Sequence, residues 1–240
     1  LERPVPDPMM EHTLIERWQD TLQELSTAAH KAGRDPESVS LVAVSKHHPA
    51  ARVRVLAEAG QLDFGENYVQ EAQLKQRDLA DLGLRWHFIG RLQTNKARFV
   101  AGAYHLVHTV DSLKLARALH KRAQTRGVSQ PVLLQVNLAE EEQKGGVLEA
   151  DLPYLVESVL ELSHLKLQGL MTMPPYFEDP ALAKPLFARL RSLKERLETM
   201  LDRELPHLSM GMTQDFAHAV AEGATLVRIG TRIFGPRPRK

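Results

Sequence analysis

Lys46 closes the apolar run Leu41-Val42-Ala43-Val44-Ser45-Lys46, and His47-His48-Pro49 follow it. Such a run reads as a buried parallel strand. A lysine has little place in that interior unless something there uses it. An amine held where charge is disfavoured has a lowered pKa, so more of it is neutral and nucleophilic. The chemistry open to it is Schiff-base formation with a carbonyl. The plainer reading of a lone lysine at a strand end is a salt-bridge partner.

Two glycine-containing segments lie near the other end of the chain, Ser209-Met210-Gly211-Met212-Thr213 and Val227-Arg228-Ile229-Gly230-Thr231-Arg232-Ile233-Phe234-Gly235. Each follows a strand pattern and opens a helical one. Glycine lets backbone N–H groups approach an anion, and a helix N-terminus adds a favourable dipole. The hydroxyls of Thr213 and Thr231 supply further donors. Taken singly, such segments are turns and N-caps. Taken with Lys46, they suggest a ligand gripped from two sides, with an anion at one end and a carbonyl at the other. A phosphorylated aldehyde answers that description, and pyridoxal 5'-phosphate (PLP) is the obvious one.

The elements that must position these residues alternate along the chain. An amphipathic segment over 10–32 carries Leu14, Ile15, Trp18, Leu22 and Leu25 at helical spacing, and Gly33 is a plausible stop. Eight strands are predicted at 41–46, 62–65, 86–90, 105–110, 132–138, 167–173, 207–210 and 225–229. Helices are predicted over 49–59, 68–80, 94–101, 112–126 with Asp111 as N-cap, 148–162, 181–201 and 215–221, with a last turn from Thr231. Eight βα units imply an α/β fold, a single (β/α)8 TIM barrel with an extra N-terminal helix; a doubly wound open sheet is the alternative. Barrel chemistry sits at the C-terminal strand ends, and phosphate often binds after strands seven and eight. Polar residues collect at such ends here: Lys46, Glu66, Asn67, His87, Asn137, Thr172, Ser209, Thr213, Arg228 and Thr231.

The 240 residues suit one barrel, with residues 1–9 read as a disordered leader and 10–240 as one domain. A net charge of +1 gives no bulk field to recruit nucleic acid or a membrane. The absence of cysteine excludes disulfides and thiolate metal sites and fits a cytoplasmic protein. No apolar run is long enough for a membrane span, and the start lacks signal-peptide features. His47 and His48 are adjacent, and His105 and His108 fall on opposite faces of a strand, so neither pair suggests a metal site.

The chain resembles the pyridoxal phosphate homeostasis proteins, the YggS/PROSC family of PLP-binding proteins. The resemblance rests on LVAVSK at 41–46, DFGENYVQE at 63–71, WHFIG at 86–90, LQTNK at 92–96, VDSLKLA at 110–116 and LLQVN at 133–137. It continues through GLMTMPP at 169–175, LSMGMT at 208–213 and VRIGTRIFG at 227–235. It implies a barrel like the alanine racemase N-terminal domain, with PLP on Lys46 as an aldimine. It also implies phosphate contacts from Thr213, Gly230 and Thr231, with Arg228 facing the pyridine nitrogen and Asn67, His87 and Ser209 around the cofactor. The family commonly has Thr-Lys where this chain has His47-His48, and serine where it has Thr213.

A guanidinium stays charged and cannot take a proton from pyridinium. Arg228 beside the ring nitrogen would leave that nitrogen unprotonated and the ring a weaker electron sink. Alanine racemases, which the barrel resembles, tolerate this by adding a tyrosine base from a second domain, and the reading of these 240 residues as one barrel provides none; Tyr68, Tyr104, Tyr154 and Tyr176 are the tyrosines present, and Tyr68 reads as a helix start. The leading expectation is therefore a monomeric carrier that holds PLP for intracellular vitamin B6 homeostasis and delivers it to PLP-dependent apo-enzymes. The alternatives are an amino-acid racemase and a lysine-dependent aldolase acting on a sugar phosphate. The charged segment 140–146 reads as a solvated loop or a lid, and Lys96 as a surface lysine or a second amine. Leu186, Leu190, Leu193 and Leu197 read as the barrel-facing stripe of a helix.

Overall fold

Apolar runs of period two and segments of period 3.6 fold as that alternation demands. The computed structural model describes residues 8–141 and 143–236. Helix α1 (Pro8–Lys31) precedes the repeating units β1 (Ser40–Val44), α2 (Ala50–Glu58), β2 (Asp63–Glu66), α3 (Val69–Asp78), β3 (Arg85–Phe88) and α4 (Ala97–Val100). They continue with β4 (Leu106–Val110), α5 (Leu113–Thr125), β5 (Gln130–Gln135), α6 (Leu152–Leu160), β6 (Leu165–Met171) and α7 (Lys184–Leu201). The last are β7 (His207–Ser209), α8 (Phe216–Ala221), β8 (Leu226–Ile229) and α9 (Thr231–Phe234). The strands pair in parallel in chain order and close into a barrel, β8 returning to β1. The (β/α)8 expectation holds, and the open sheet is excluded.

Successive strand residues face opposite sides. Outward side chains such as Phe64 and Phe88 join the large core between sheet and helices. Inward ones form a small cluster in the bore: Val42, Leu106, Leu133, Met171 and Leu226. Burying one such side chain is worth about 1.5–3 kcal/mol. Helix α7 buries Phe187, Leu190, Leu193 and Leu197, while Leu186 is only partly covered. Helix α1 buries Leu14, Trp18, Leu25 and Ala29 and packs against α2, α8 and α9. Its Trp18 indole donates to Gln61 Oε1 (2.9 Å), and the Gln61 amide donates to the carbonyls of Leu41 and Asp63. The extra helix is thereby tied to the starts of β1 and β2. After α1, Gly33 takes φ +67° and lets Arg34 N–H return to Ala29 O.

Four details differ from the sequence reading. Helix α1 starts at Pro8 rather than Met10, and the leader expected over 1–9 otherwise lies outside the described residues, as do tail residues 237–240. β1 ends at Val44, so Lys46 stands in the turn beyond it. Ser112, not Asp111, caps α5, its hydroxyl accepting from Leu115 N–H. Short 3₁₀ turns at Thr94–Lys96, Glu149–Asp151 and Pro180–Ala183 precede α4, α6 and α7. Among the described residues, no helix is long and apolar enough to cross a membrane.

Candidate functional site

Lys46 follows β1 by two residues and is partly buried. The β1–β2 register ends at Val44↔Gly65, and Ser45 N–H still donates to Gly65 O (3.1 Å) before the chain turns at Lys46. On the other side of β1 Ala43 pairs with Ile229, which places Gly230 against Val44. A Cβ on Gly230 would lie 3.2 Å from both Val44 O and Val44 Cβ. The lysine therefore follows the end of β1, the strand flanked by β2 on one side and β8 on the other.

Its loop is held by a buried ion cluster. Glu66, wholly buried and facing outward from the end of β2, accepts from the Ser45 hydroxyl and from Lys75 Nζ, both at 2.6 Å. Lys75, on α3, also donates to Ser45 O (2.6 Å) and Glu71 Oε1 (2.7 Å), and His47 N–H donates to that same Glu71 oxygen. Burial pushes the Glu66 carboxyl up, with Lys75 pulling the other way. His47 adopts φ +67°, unusual for a residue with a Cβ, and these contacts hold it there. Its ring is exposed near Tyr68. His48 turns inward, stacks on Phe234 at 4.9 Å, and is brought down to about 4 by burial and the Arg52 charge. Of the two adjacent histidines, only His47 reaches solvent.

Thr213 and Thr231 line one cavity of about 540 Å³, together with Met212, Asp215, Met173 and Lys144. The turns after β7 and β8 thus share a single recess, as their sequences suggest. Gly211 has φ +90°, and a Cβ there would lie 2.6 Å from Ala219 Cβ, so only glycine fits. Asp215 Oδ1 fixes the turn by accepting from Met212 N–H (2.6 Å).

Arg228 is buried in the bore, where Nη1 donates to Ser209 Oγ (2.5 Å) and Nη2 to Thr172 O (3.0 Å). Burial lowers its guanidinium to about 10, which leaves it charged at neutral pH. Ser209 Oγ contacts His108 Nδ1, His108 Nε2 contacts His87 Nδ1, and His87 Nε2 contacts Asp63 Oδ1. Arg85 holds both oxygens of Asp63, Nε donating to the same Oδ1 and Nη2 to Oδ2. Burial works to raise the Asp63 carboxyl, but Arg85 and His87 outweigh it and hold it well below the usual carboxylate range. His87 reaches Arg228 only through His108 and Ser209. His105 precedes β4, and its ring also approaches that of His87 (5.6 Å), so His105 and His108 are not kept apart by strand faces.

Asn67 lines a different cavity of about 860 Å³, on the β2–β4 side, with Tyr68, Arg91, Lys96 and Asp111. Its buried Oδ1 has no hydrogen-bond partner. Tyr68 is half exposed at the start of α3. Asn137 is spent on Glu141 backbone, and the Thr172 hydroxyl on Val136 O. Lys144 donates to Pro174 O and pairs with Glu141. The sequence reading missed Lys75, Glu71, Asp63 and Arg85, and it considered His108 only as a metal ligand. A charged residue opening or ending an apolar strand, as Asp63 and Glu66 do, was the available signal.

The description "Alanine racemase, N-terminal domain" belongs to the family model that matches residues 17–238. A pyridoxal phosphate homeostasis protein of Pseudomonas aeruginosa is 47% identical, covering 94% of this chain and 96% of its own. One from Aquifex aeolicus is 45% identical, covering 92% and 97%. Among solved structures, PipY of Synechococcus elongatus with PLP bound superposes with a TM-score of 0.79 at 41% identity, covering 88% of this chain and 100% of that one. The chain belongs to the pyridoxal phosphate homeostasis protein family, built on the alanine racemase N-terminal domain.

Proposed function

We propose that this protein binds PLP through a Schiff base on Lys46, keeps it in reserve in the cytoplasm, and releases it to PLP-dependent apo-enzymes. The observation that carries the reading is the close packing of the β1 and β8 ends, Gly230 against Val44, which sets the lysine loop beside a turn whose threonine lines a recess. The residues fit the cofactor. Thr213 and Thr231 offer hydroxyls to one recess, and Asn67, which lines the neighbouring cavity, has a buried Oδ1 that lacks a donor.

Bound PLP supplies an aldehyde for imine formation and a ring that withdraws electrons when its nitrogen is protonated. The chain's own residues favour holding over turnover. The ion cluster of Glu66, Lys75 and Glu71 fixes the backbone on both sides of Lys46. Thr213, Gly230 and Thr231 would take the phosphate. Arg228 can donate to a ring nitrogen but cannot protonate it readily, because its guanidinium stays charged. Tyr68 is turned to solvent beside His47, which does not favour it as a base. The PLP-bound PipY and the names of the relatives support the same reading.

Borohydride reduction of the PLP-loaded protein followed by peptide mass spectrometry tests this. The adduct is expected on the peptide holding Lys46 and absent in Lys46→Ala. An adduct on another lysine, or racemisation of any amino acid at enzyme-like rates, would overturn the proposal.

A further inference from the structure

The polar contacts through the barrel bore have an order that their chemistry fixes. At one end Asp63, ionised by its two contacts with Arg85 (2.7 and 2.5 Å), can only accept. His87 Nε2, 2.9 Å from Asp63 Oδ1, must therefore carry a hydrogen. At the other end Arg228 can only donate, and it does so to Ser209 Oγ. Two contacts remain between them, His87 Nδ1 to His108 Nε2 (2.9 Å) and His108 Nδ1 to Ser209 Oγ (2.8 Å).

Charge balance decides the two rings. Arg85 is matched by Asp63, and Arg228 feels Asp215 as its attractive charge. Adding a proton to His108, which is fully buried, would leave an unmatched charge in the bore. Burial lowers His108 well below its ordinary value, in agreement. If neither ring adds a charge to the bore, one placement of hydrogens fills every contact. His108 Nε2–H donates to His87 Nδ1, and the Ser209 hydroxyl donates to His108 Nδ1.

We infer that Arg228, Ser209, His108, His87 and Asp63 form one hydrogen-bonded chain in which each member donates toward Asp63, both imidazoles carrying their hydrogen on Nε2, and that this chain fixes Arg228 for its contact with the ring nitrogen of the ligand. Ser209, His108, His87 and Asp63 are positioning residues in this scheme. The single hydroxyl hydrogen of Ser209 is committed to His108, so its oxygen is left as an acceptor for the guanidinium. Thr172 O takes a second N–H, and the guanidinium cannot swing out to pair with a phosphate or carboxylate. The site then selects a ligand whose ring nitrogen is an acceptor. The role of Arg228 rests on the PLP reading; the direction of the chain does not.

Nitrogen-15 NMR of histidine-labelled, cofactor-free protein at pH 7.5 tests the direction, with His87→Gln and His108→Gln spectra giving the assignments. The expected pattern for both rings is a protonated Nε2 and a bare Nδ1. Hydrogen on Nδ1 of either ring overturns the proposal. The positioning role is read from PLP affinity and the position of the cofactor absorption band in folded Ser209→Ala and Ser209→Thr. Loss of the hydroxyl should weaken PLP binding about tenfold or more and move the band, since a hydrogen bond to a charged group is at stake. Threonine, which keeps the hydroxyl, should restore both. Unchanged affinity and band in Ser209→Ala would remove the positioning role. If the unaltered protein takes up no PLP, the cofactor reading and the role of Arg228 fail together, while the NMR pattern still decides the chain.

Discussion

Lys75 is the residue whose loss should be felt furthest from its own position. Its side chain is 5% exposed and bonds Glu66, which is wholly buried, along with Glu71 and Ser45 O. Lys75→Met keeps most of the volume and removes the charge. Deleting one partner of a buried ion pair costs about 3–5 kcal/mol, because the other charge is left behind. A domain of ordinary stability has about 5–15 kcal/mol in total, so about a fifth or more is at risk. The cost should depend on pH with a definite sign. Burial already raises the Glu66 carboxyl, and without Lys75 it rises further. A folded-state value above the unfolded one makes the folded state the stronger proton binder, so the penalty is largest at high pH and shrinks as pH falls through the raised value. Adding Glu66→Gln removes the stranded charge, and the double variant should be more stable than Lys75→Met alone. Urea unfolding followed by circular dichroism measures all three. Borohydride trapping of PLP should slow in Lys75→Met, because Ser45 and His47 lose their tethers. A destabilisation below about 1 kcal/mol with trapping unchanged would refute the idea that this cluster holds the lysine loop.

Three other outcomes are expected. Gly90→Ala places a Cβ 2.2 Å from Asn67 O, so the Asn67 backbone must move; denaturant unfolding should show a loss of about 1–3 kcal/mol or more, as in other overpacked sites. Acid should destabilise the protein from about pH 6.5 downward, with the contribution of His48 exhausted near its folded value of about 4, since a depressed folded value gives stability that is present above the unfolded one and lost below it. His48→Phe, which retains an aromatic against Phe234, should flatten the melting-temperature profile over that window, a change on the order of 2 kcal/mol at its acid end. Ile233→Ala, at a site with no exposure, should cost about 2–5 kcal/mol by thermal melting and loosen α9 against the barrel.

Most of the architecture was legible because the periods differ so clearly. Continuous apolar runs and 3.6-period segments located the strands and helices within a few residues, and polar residues gathered at the strand ends. The Gly211 turn was legible for a physical reason, since it has no room for a Cβ, and Gly230 is tight against Val44. Lys46 stood out at the end of an apolar run, although the strand itself stops at Val44. What stayed hidden depends on long-range pairing. Nothing local shows that Lys75 reaches back 30 residues to Ser45 O, or that His108 meets Ser209 across 101 residues. His87 was read as a direct neighbour of the ligand because its motif is shared with the family, whereas its ring bonds Asp63 and His108. Ser112 capped α5 in place of Asp111 because either residue type can fill that position, and backbone geometry alone chooses between them.

The barrel closes where β8 meets β1, and Lys46 and Thr231 stand on opposite sides of that seam. The first and last strands are nearly two hundred residues apart in the chain, and backbone pairing, helix α1 and the His48–Phe234 stack are what join them. A molecule fastened to both sides stitches the fold shut at its topological ends. On the proposed reading, PLP binding is then a folding event as well, and the loaded protein should outlast the empty one under heat, proteolysis or denaturant.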